Sequence, residues 1–420
     1  MNASIVNLSR RVADIRSVRA TAFFPRILAL VFLFVSVIAY SANPGDRTAI
    51  WLIVASVGAW TIGWLIARGS LWAVLCLAVA SIAAGIAALV ESVTHWSDPD
   101  FWLGVGGSAL LLIPGALALR AIPACARLRP LGQHMVWPDS TRTMLARLPA
   151  DRRLLSATPP LSVSLACYVL GAVVGLAFAA VTGSVLLGSL AFVPFAWAGS
   201  RLYKRAQRSL ALRAQEVRAA DRRPPVLLLR SFSDDNLPLE RSFRMFRGLL
   251  REELTFEEFV VDRLWTLGPV IAIGKPEEKI SPVGAAREYV HGPNWQERVR
   301  AVLDECSWVV GILGDGAGLL WEYQQIQQRG FDDRFVLVVP PRPPMTIMNR
   351  WNAFQSAFTA AALVDFSLDP DIGPPMIVLF SRERVPLCLC CKFRYETAFI
   401  TAFDELYAHL ASRARDNEGP

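Results

Sequence analysis

Between Ile27 and Ala198 the chain is dominated by six apolar runs, Ile27–Ala42, Thr48–Ala67, Leu71–Val90, Phe101–Leu119, Leu161–Val181 and Val185–Ala198, none of which contains Asp, Glu, Lys or Arg. About 20 helical residues at a rise of 1.5 Å cross a hydrocarbon core of roughly 30 Å. The pattern therefore predicts a six-span α-helical membrane bundle over residues 27–200, interrupted by a basic, proline-containing cytoplasmic loop over 120–160. Ahead of it, Ile5, Leu8, Val12, Ile15 and Val18 recur at helical spacing while Arg10, Arg11, Arg16 and Arg19 fall elsewhere. Residues 1–26 thus read as a basic amphipathic segment, suited either to the headgroup region of a bilayer or to a solvated tail.

The period changes after the last run. Residues 201–223 have helix-forming composition without proline until Pro224 and Pro225, which suits a helical stalk. Beyond it, strand-length apolar runs (Val226–Leu229, Val270–Ile273, Val309–Leu313, Phe335–Val339, Met376–Phe380) alternate with helical stretches (Phe243–Leu264, Trp295–Cys306, Leu319–Gln328, Ile347–Ala360, Arg394–Ala411). Alternation of this kind predicts a cytoplasmic α/β domain over 224–420, built on a five-stranded parallel sheet in the flavodoxin-like order 2-1-3-4-5.

Composition supports a membrane association: hydrophobic residues are 53% and charged residues 19% of the chain, and the mean hydropathy is +0.37. The net charge of +7 is unevenly placed. Arg10, Arg11, Arg16, Arg19 and Arg26 precede the first run, Arg68 lies between the second and third, and seven arginines occupy Arg120 to Arg153. Arg201, Lys204, Arg205 and Arg208 follow the last run, while the opposite loops carry Asp46, Arg47, Glu91, Asp98 and Asp100. This asymmetry predicts an inner (plasma) membrane protein with both termini and the C-terminal domain in the cytoplasm. It also makes anionic headgroups, rather than nucleic acid, the partner of the basic segments. Six runs without an ionisable residue disfavour transport. The Cys388-x-Cys390-Cys391 cluster has no nearby histidine to complete a zinc tetrahedron, so the cysteines read as structural thiols and no metal is expected.

Candidate chemistry concentrates in two loops. Val309–Leu313 runs into Gly314-Asp315-Gly316-Ala-Gly318-Leu-Leu-Trp321-Glu322, a strand, a glycine bend and a helix. Such a bend lets a ligand approach the backbone, and the free N–H groups of the following helix favour an anion. After the first strand comes Arg230-Ser231-Phe-Ser233-Asp234-Asp235-Asn236, rich in groups that hydrogen-bond hydroxyls or cap a helix. In a doubly wound sheet these loops flank the point where the winding reverses, which is where ligands bind. Ser231, Ser233, Asp234, Asp235, Gly314, Asp315, Gly316, Gly318 and Trp321 are therefore the candidate binding residues, with Glu322 as the candidate catalytic carboxylate. His95, His134, His291 and His409 are scattered outside this crevice, which argues against histidine-dependent hydrolysis.

Pro225-Val-Leu-Leu-Leu-Arg-Ser-Phe-Ser-Asp-Asp235 resembles the first strand and loop of TIR domains, and Gly-Pro-Val-Ile-Ala-Ile-Gly274 resembles their second strand. The resemblance extends to about Val339. It implies that Glu322 stands where NAD-cleaving TIR domains carry their glutamate, here directly after Trp321, and that Gly274–Ala286 is the loop through which such domains self-associate, making a homo-oligomer the expected state. Gly314–Glu322 is also similar to the Gly-Gly-x-Gly-Thr-x-x-Glu loop of lysine-decarboxylase-like nucleotide hydrolases, departing at Asp315 and Leu319. Both families cleave an N-glycosidic bond beside a phosphate. The pyridinium of NAD leaves as a neutral ring, so one carboxylate opposite the developing ribosyl cation suffices, without metal or cofactor. Two functions follow: a nucleotide N-glycosidase acting on NAD or a related substrate, or a membrane-anchored signalling module that keeps the fold without turnover.

Overall fold

The computed structural model describes residues 4–42, 48–67, 70–94, 101–128, 158–182, 185–209, 214–234, 237–240, 255–274, 285–288, 295–364, 366, 371–381 and 385–418. They fall into two units, Ser9–Ser140, and Met1–Leu8 with Thr141–Pro420.

The first unit contains α1 (Ser9–Ala42), α2 (Thr48–Ala67), α3 (Leu71–Thr94) and α4 (Phe101–Leu128). Small side chains dominate its core, where Ala22, Ala73, Ala78, Ala118 and Ala121 pack with Ile15, Val18, Ile66 and Val74. The stripe carrying Ile15 and Val18 thus faces protein. On the same helix, Asp14 accepts from Arg127 Nε at 2.8 Å and from Nη2 at 2.5 Å. Arg120–Leu128 continues α4 as helix, with Pro123 inside it.

The six-span expectation is corrected here. Among the described residues one helix, Leu71–Val90, is long and apolar enough to cross a membrane, and Ile53–Ile66, Ala166–Gly175 and Leu190–Gly199 are shorter apolar helices. A span needs a long apolar stretch within one helix, and each of these three falls short of the roughly 20 residues required.

The second unit opens with β1 (Ser4–Asn7) and resumes with α5 (Thr158–Thr182), α6 (Val185–Ser209) and α7 (Ala214–Ala220). Gly171 and Gly175 let α5 approach α6 closely: a Cβ would lie 2.5 Å from Phe195 Cβ at the first and 2.8 Å from the Gly188 carbonyl oxygen at the second. Then follow β2 (Val226–Leu229), α8 (Phe256–Leu264), β3 (Val270–Ile273), β4 (Ala286–Glu288), α9 (Trp295–Glu305), β5 (Trp308–Ile312), α10 (Ala317–Arg329), β6 (Phe335–Val338), α11 (Pro344–Ala357), β7 (Pro375–Leu379), β8 (Leu387–Cys390) and α12 (Glu396–Glu418).

These strands form one mixed sheet of eight, in the order β1-β8-β7-β6-β5-β2-β3-β4. The five-stranded parallel sheet is therefore also corrected. β7 is antiparallel to both β6 and β8, while the other neighbours are parallel. Residues 380–386 are too few for a crossover helix, so β8 must return antiparallel to β7. β1 was hidden in a helical period, yet Ser4 N donates to the Pro386 carbonyl and Leu8 N to that of Cys390, both at 2.8 Å. The expected helix Phe243–Leu264 starts at Phe256 in the described residues, where Thr255 and Glu258 form a reciprocal cap.

β2 pairs with β3 on one side and β5 on the other, so right-handed crossovers send α8 and α9 to opposite faces. On one face Leu227, Leu229, Val309 and Phe335 pack with Val302 of α9, Tyr323 of α10 and Trp351 and Phe354 of α11. Helices α8 and α12 pack together through Phe256, Phe259, Phe399 and Phe403. Cys388 and Cys390 are buried members of the first core, which gives them a packing role.

Candidate functional site

The reversal of winding between β2 and β5 leaves a crevice beyond their carboxyl ends. β2 ends at Leu229 and delivers Arg230 and Ser231; β5 ends at Ile312 and delivers the glycine bend. The two loops touch at Gly314, where a Cβ would lie 2.8 Å from Leu319 Cδ2 and 3.0 Å from Ser231 Cβ, so a side chain there would force them apart.

Helix α10 then starts with Gly316 as its N-cap, which makes no side-chain capping bond, so its first N–H groups have no side-chain acceptor at the cap. It stops at Gly330, whose φ of 74° closes the helix with N–H bonds to Gln327 and Ile326 carbonyls. The Tyr323 hydroxyl donates to the Ile312 carbonyl at 2.9 Å and fixes the helix to its own strand. That bond sets the position of Glu322, the preceding residue.

A cavity of about 290 Å³ occupies the crevice, near the small end of ligand pockets. Its polar wall is Arg230, Ser231, Gly316, Gly318 and Glu322; Leu228, Leu229, Ile273, Leu319 and Trp295 supply the apolar wall beside Gly274. Ser231 Oγ and Ser233 Oγ are 2.9 Å apart. Burial pushes the Glu322 carboxyl up to about 8, with the Arg230 charge pulling the other way. At neutral pH these surroundings therefore favour the protonated acid.

Behind the polar wall is a buried ionic cluster. Arg230 Nε lies 3.2 Å from Glu257 Oε2, and Arg287 Nη2 donates to Glu257 Oε1 at 3.1 Å and Oε2 at 3.3 Å. The three side chains are 3%, 1% and 0% exposed for Arg230, Glu257 and Arg287. Charges this deep persist only when paired, because the desolvation of each is large.

Of the sequence candidates, Ser231, Gly316, Gly318 and Glu322 are brought into one cavity. Ser233 reaches it only through its contact with Ser231, and Gly314 acts by allowing loop contact. Asp234 is instead consumed by ion pairs with Arg342 and Arg350. Asp315 is exposed and 3.5 Å from Arg350 Nε. Trp321 packs edge-on against Trp295 at 4.9 Å, under the Arg300 guanidinium, rather than against the cavity. Asp235 lies outside the described residues, as do residues 275–284 of the expected self-association loop. Sequence reasoning missed Trp295, which nothing in its local pattern distinguishes, and Arg230, whose signal was its place directly after a buried strand.

Among the described residues no group of three or more His, Cys, Asp or Glu is placed to hold a metal ion. Compared with known protein families, characterised proteins and solved structures, the chain matches none.

Proposed function

We propose that the chain holds a TIR-like α/β domain on the cytoplasmic side of an inner membrane, and that its cavity binds NAD or a related nucleotide and cleaves the N-glycosidic bond. The observation that carries this reading is the meeting of Glu322, Ser231 and the N-terminus of α10 in one cavity at the reversal of winding. The nicotinamide pyridinium would sit against Trp295, whose indole face attracts a cation. Its charge also favours the ionised form of Glu322, which then opposes the ribosyl cation as the neutral ring departs and a water adds at C1′, losing its proton to solvent. Ser231 is placed to bond a ribose hydroxyl. A homo-oligomer, implied by the resemblance to TIR domains, brings copies together at the bilayer.

Anchoring rests on Leu71–Val90, the one helix among the described residues long and apolar enough to cross a membrane, and on arginine-rich flanks suited to anionic headgroups. Because β1 and β8 share a sheet, residues 4–7 and 387–390 lie on the same side of any bilayer.

The test is nicotinamide release from NAD by the full chain reconstituted in liposomes. Release by the wild type and its loss in Glu322→Gln is the expected result; no release at any protein density sinks the reading. A non-catalytic signalling module is the second reading, favoured by a Glu322 that is largely protonated at neutral pH. It predicts NAD binding without release.

A further inference from the structure

β4 is the last strand of the sheet order and pairs only with β3. Helix α7 packs against it, with Ala214 and Val217 buried. Arg218 of α7 then reaches two carboxylates: its Nη1 lies 3.5 Å from Glu288 Oε2 on β4, and its Nη2 lies 2.8 Å from Glu305 Oε2 at the end of α9. Arg298 of α9 donates from Nε to the other oxygen of Glu288, and its Nη1 lies 3.8 Å from Glu305 Oε1. Two arginines and two glutamates from three elements thus alternate in a closed ring, with Glu288 its least exposed member at 17%. The same residue reaches the cavity through its main chain. Its carbonyl accepts from Gly274 N at 2.9 Å, and Ile273, its register partner on β3, lies with Gly274 in the cavity wall. Arg298 stands one helical turn after Trp295, the wall residue at the start of α9. The ring therefore ties down both elements that carry Ile273, Gly274 and Trp295.

We propose that α7 controls the cavity: Glu288 is a positioning residue for Ile273, Gly274 and Trp295, and Arg218 is the contact through which docked α7 holds it in the ligand-binding geometry. Release of α7 would loosen both wall elements and lower affinity. None of the four charges lies on the cavity wall, so their effect on a ligand is indirect. Partly exposed ion pairs are individually weak, which suits a contact that can open rather than a permanent strut. This deepens the nucleotide reading of the same cavity and rests on it for the ligand, but its first readout needs no nucleotide.

The experiment is hydrogen exchange of the full chain in detergent, read by mass spectrometry, for wild type, Arg218→Met and Arg218→Lys. In Arg218→Met, residues 270–274 and 295–305 should exchange about fivefold faster, the order expected for losing two partly exposed ion pairs, with β6 unchanged. Arg218→Lys, which keeps the charge, should recover most of the protection. Affinity for NAD, measured by calorimetry in a Glu322→Gln background so that none is consumed, should fall by a similar factor in Arg218→Met. Unchanged exchange in both segments overturns the proposal, and so does a rise that extends equally to β6, which marks global loosening. Faster local exchange with unaltered NAD affinity also overturns it, because the ring then holds the segments without setting the cavity. NAD binding alongside unchanged exchange removes this inference alone. If neither wild type nor Glu322→Gln binds NAD, the nucleotide reading falls and the exchange result decides the coupling by itself.

Discussion

The Arg350 guanidinium clasps Asp234, with Nη1 donating to Oδ2 at 2.5 Å and Nη2 to Oδ1 at 3.3 Å, while Nη1 also donates to the Leu313 carbonyl at 3.2 Å. Arg342 adds a second bond to Asp234 Oδ1 at 2.5 Å. One carboxylate after β2 thereby joins α11 to the end of β5 and holds both crevice loops in place.

Asp234→Asn should therefore act on stability before ligand binding. It removes the buried carboxylate partner of Arg350 and leaves that guanidinium only the exposed Asp315 at 3.5 Å, which costs up to about 3 to 5 kcal/mol. Chemical denaturation of the full chain measures this, and an unchanged midpoint would return Asp234 to the ligand-binding set.

Glu322→Gln keeps size and removes charge. If the cavity cleaves NAD, nicotinamide release should fall roughly a hundredfold or more, about 3 kcal/mol of transition-state stabilisation. Wild-type kcat/KM should climb with pH, pass half of its maximum near 8, where the carboxyl ionises in the free protein, and level off above it. A profile flat from pH 6 to 9 removes Glu322 as the charged group.

Ionisation of the same carboxyl weakens the fold. Its pKa rises from 4.5 to about 8 on folding, so the folded state keeps a proton that the unfolded chain has released. Its contribution is fully present below about 4.5 and is lost as pH rises through about 8, at no more than about 1.4 kcal/mol per pH unit. Glu322→Gln should melt with the wild type near pH 4 and above it at pH 8.5. Parallel melting curves across that range would contradict the burial of this acid.

β1 makes the domain discontinuous in sequence. A chain lacking residues 1–8 should melt lower than the full chain and associate more readily, because β8 becomes an unpaired edge. Thermal melting and light scattering of the two forms are the measurement; identical behaviour would make β1 dispensable. A fragment beginning near Arg222 carries the same exposed edge.

Several features were legible from local pattern. Buried strands are continuous runs rich in Val, Ile and Leu, so β2, β3, β5, β6 and β7 stand out from residues that touch one another along the chain. Ser231 and Glu322 stood out because a reversal of winding puts the loops after two such strands face to face. Strand direction was not legible: the connection through α11 is long enough for either, and packing selects antiparallel for β7. β1 was equally hidden, since Ser4–Asn7 finds its partner at Leu387–Cys390. Apolar runs were visible, but the apolar helix lengths in the fold left Leu71–Val90 alone long enough to span among the described residues. Asp234 looked like a ligand group until Arg350, 116 residues away, claimed it. Periodicity records which residues are buried, because burial follows from the chain's own polarity. Which buried charge meets which is decided only when distant segments pack, as Arg230, Glu257 and Arg287 do from three separate elements.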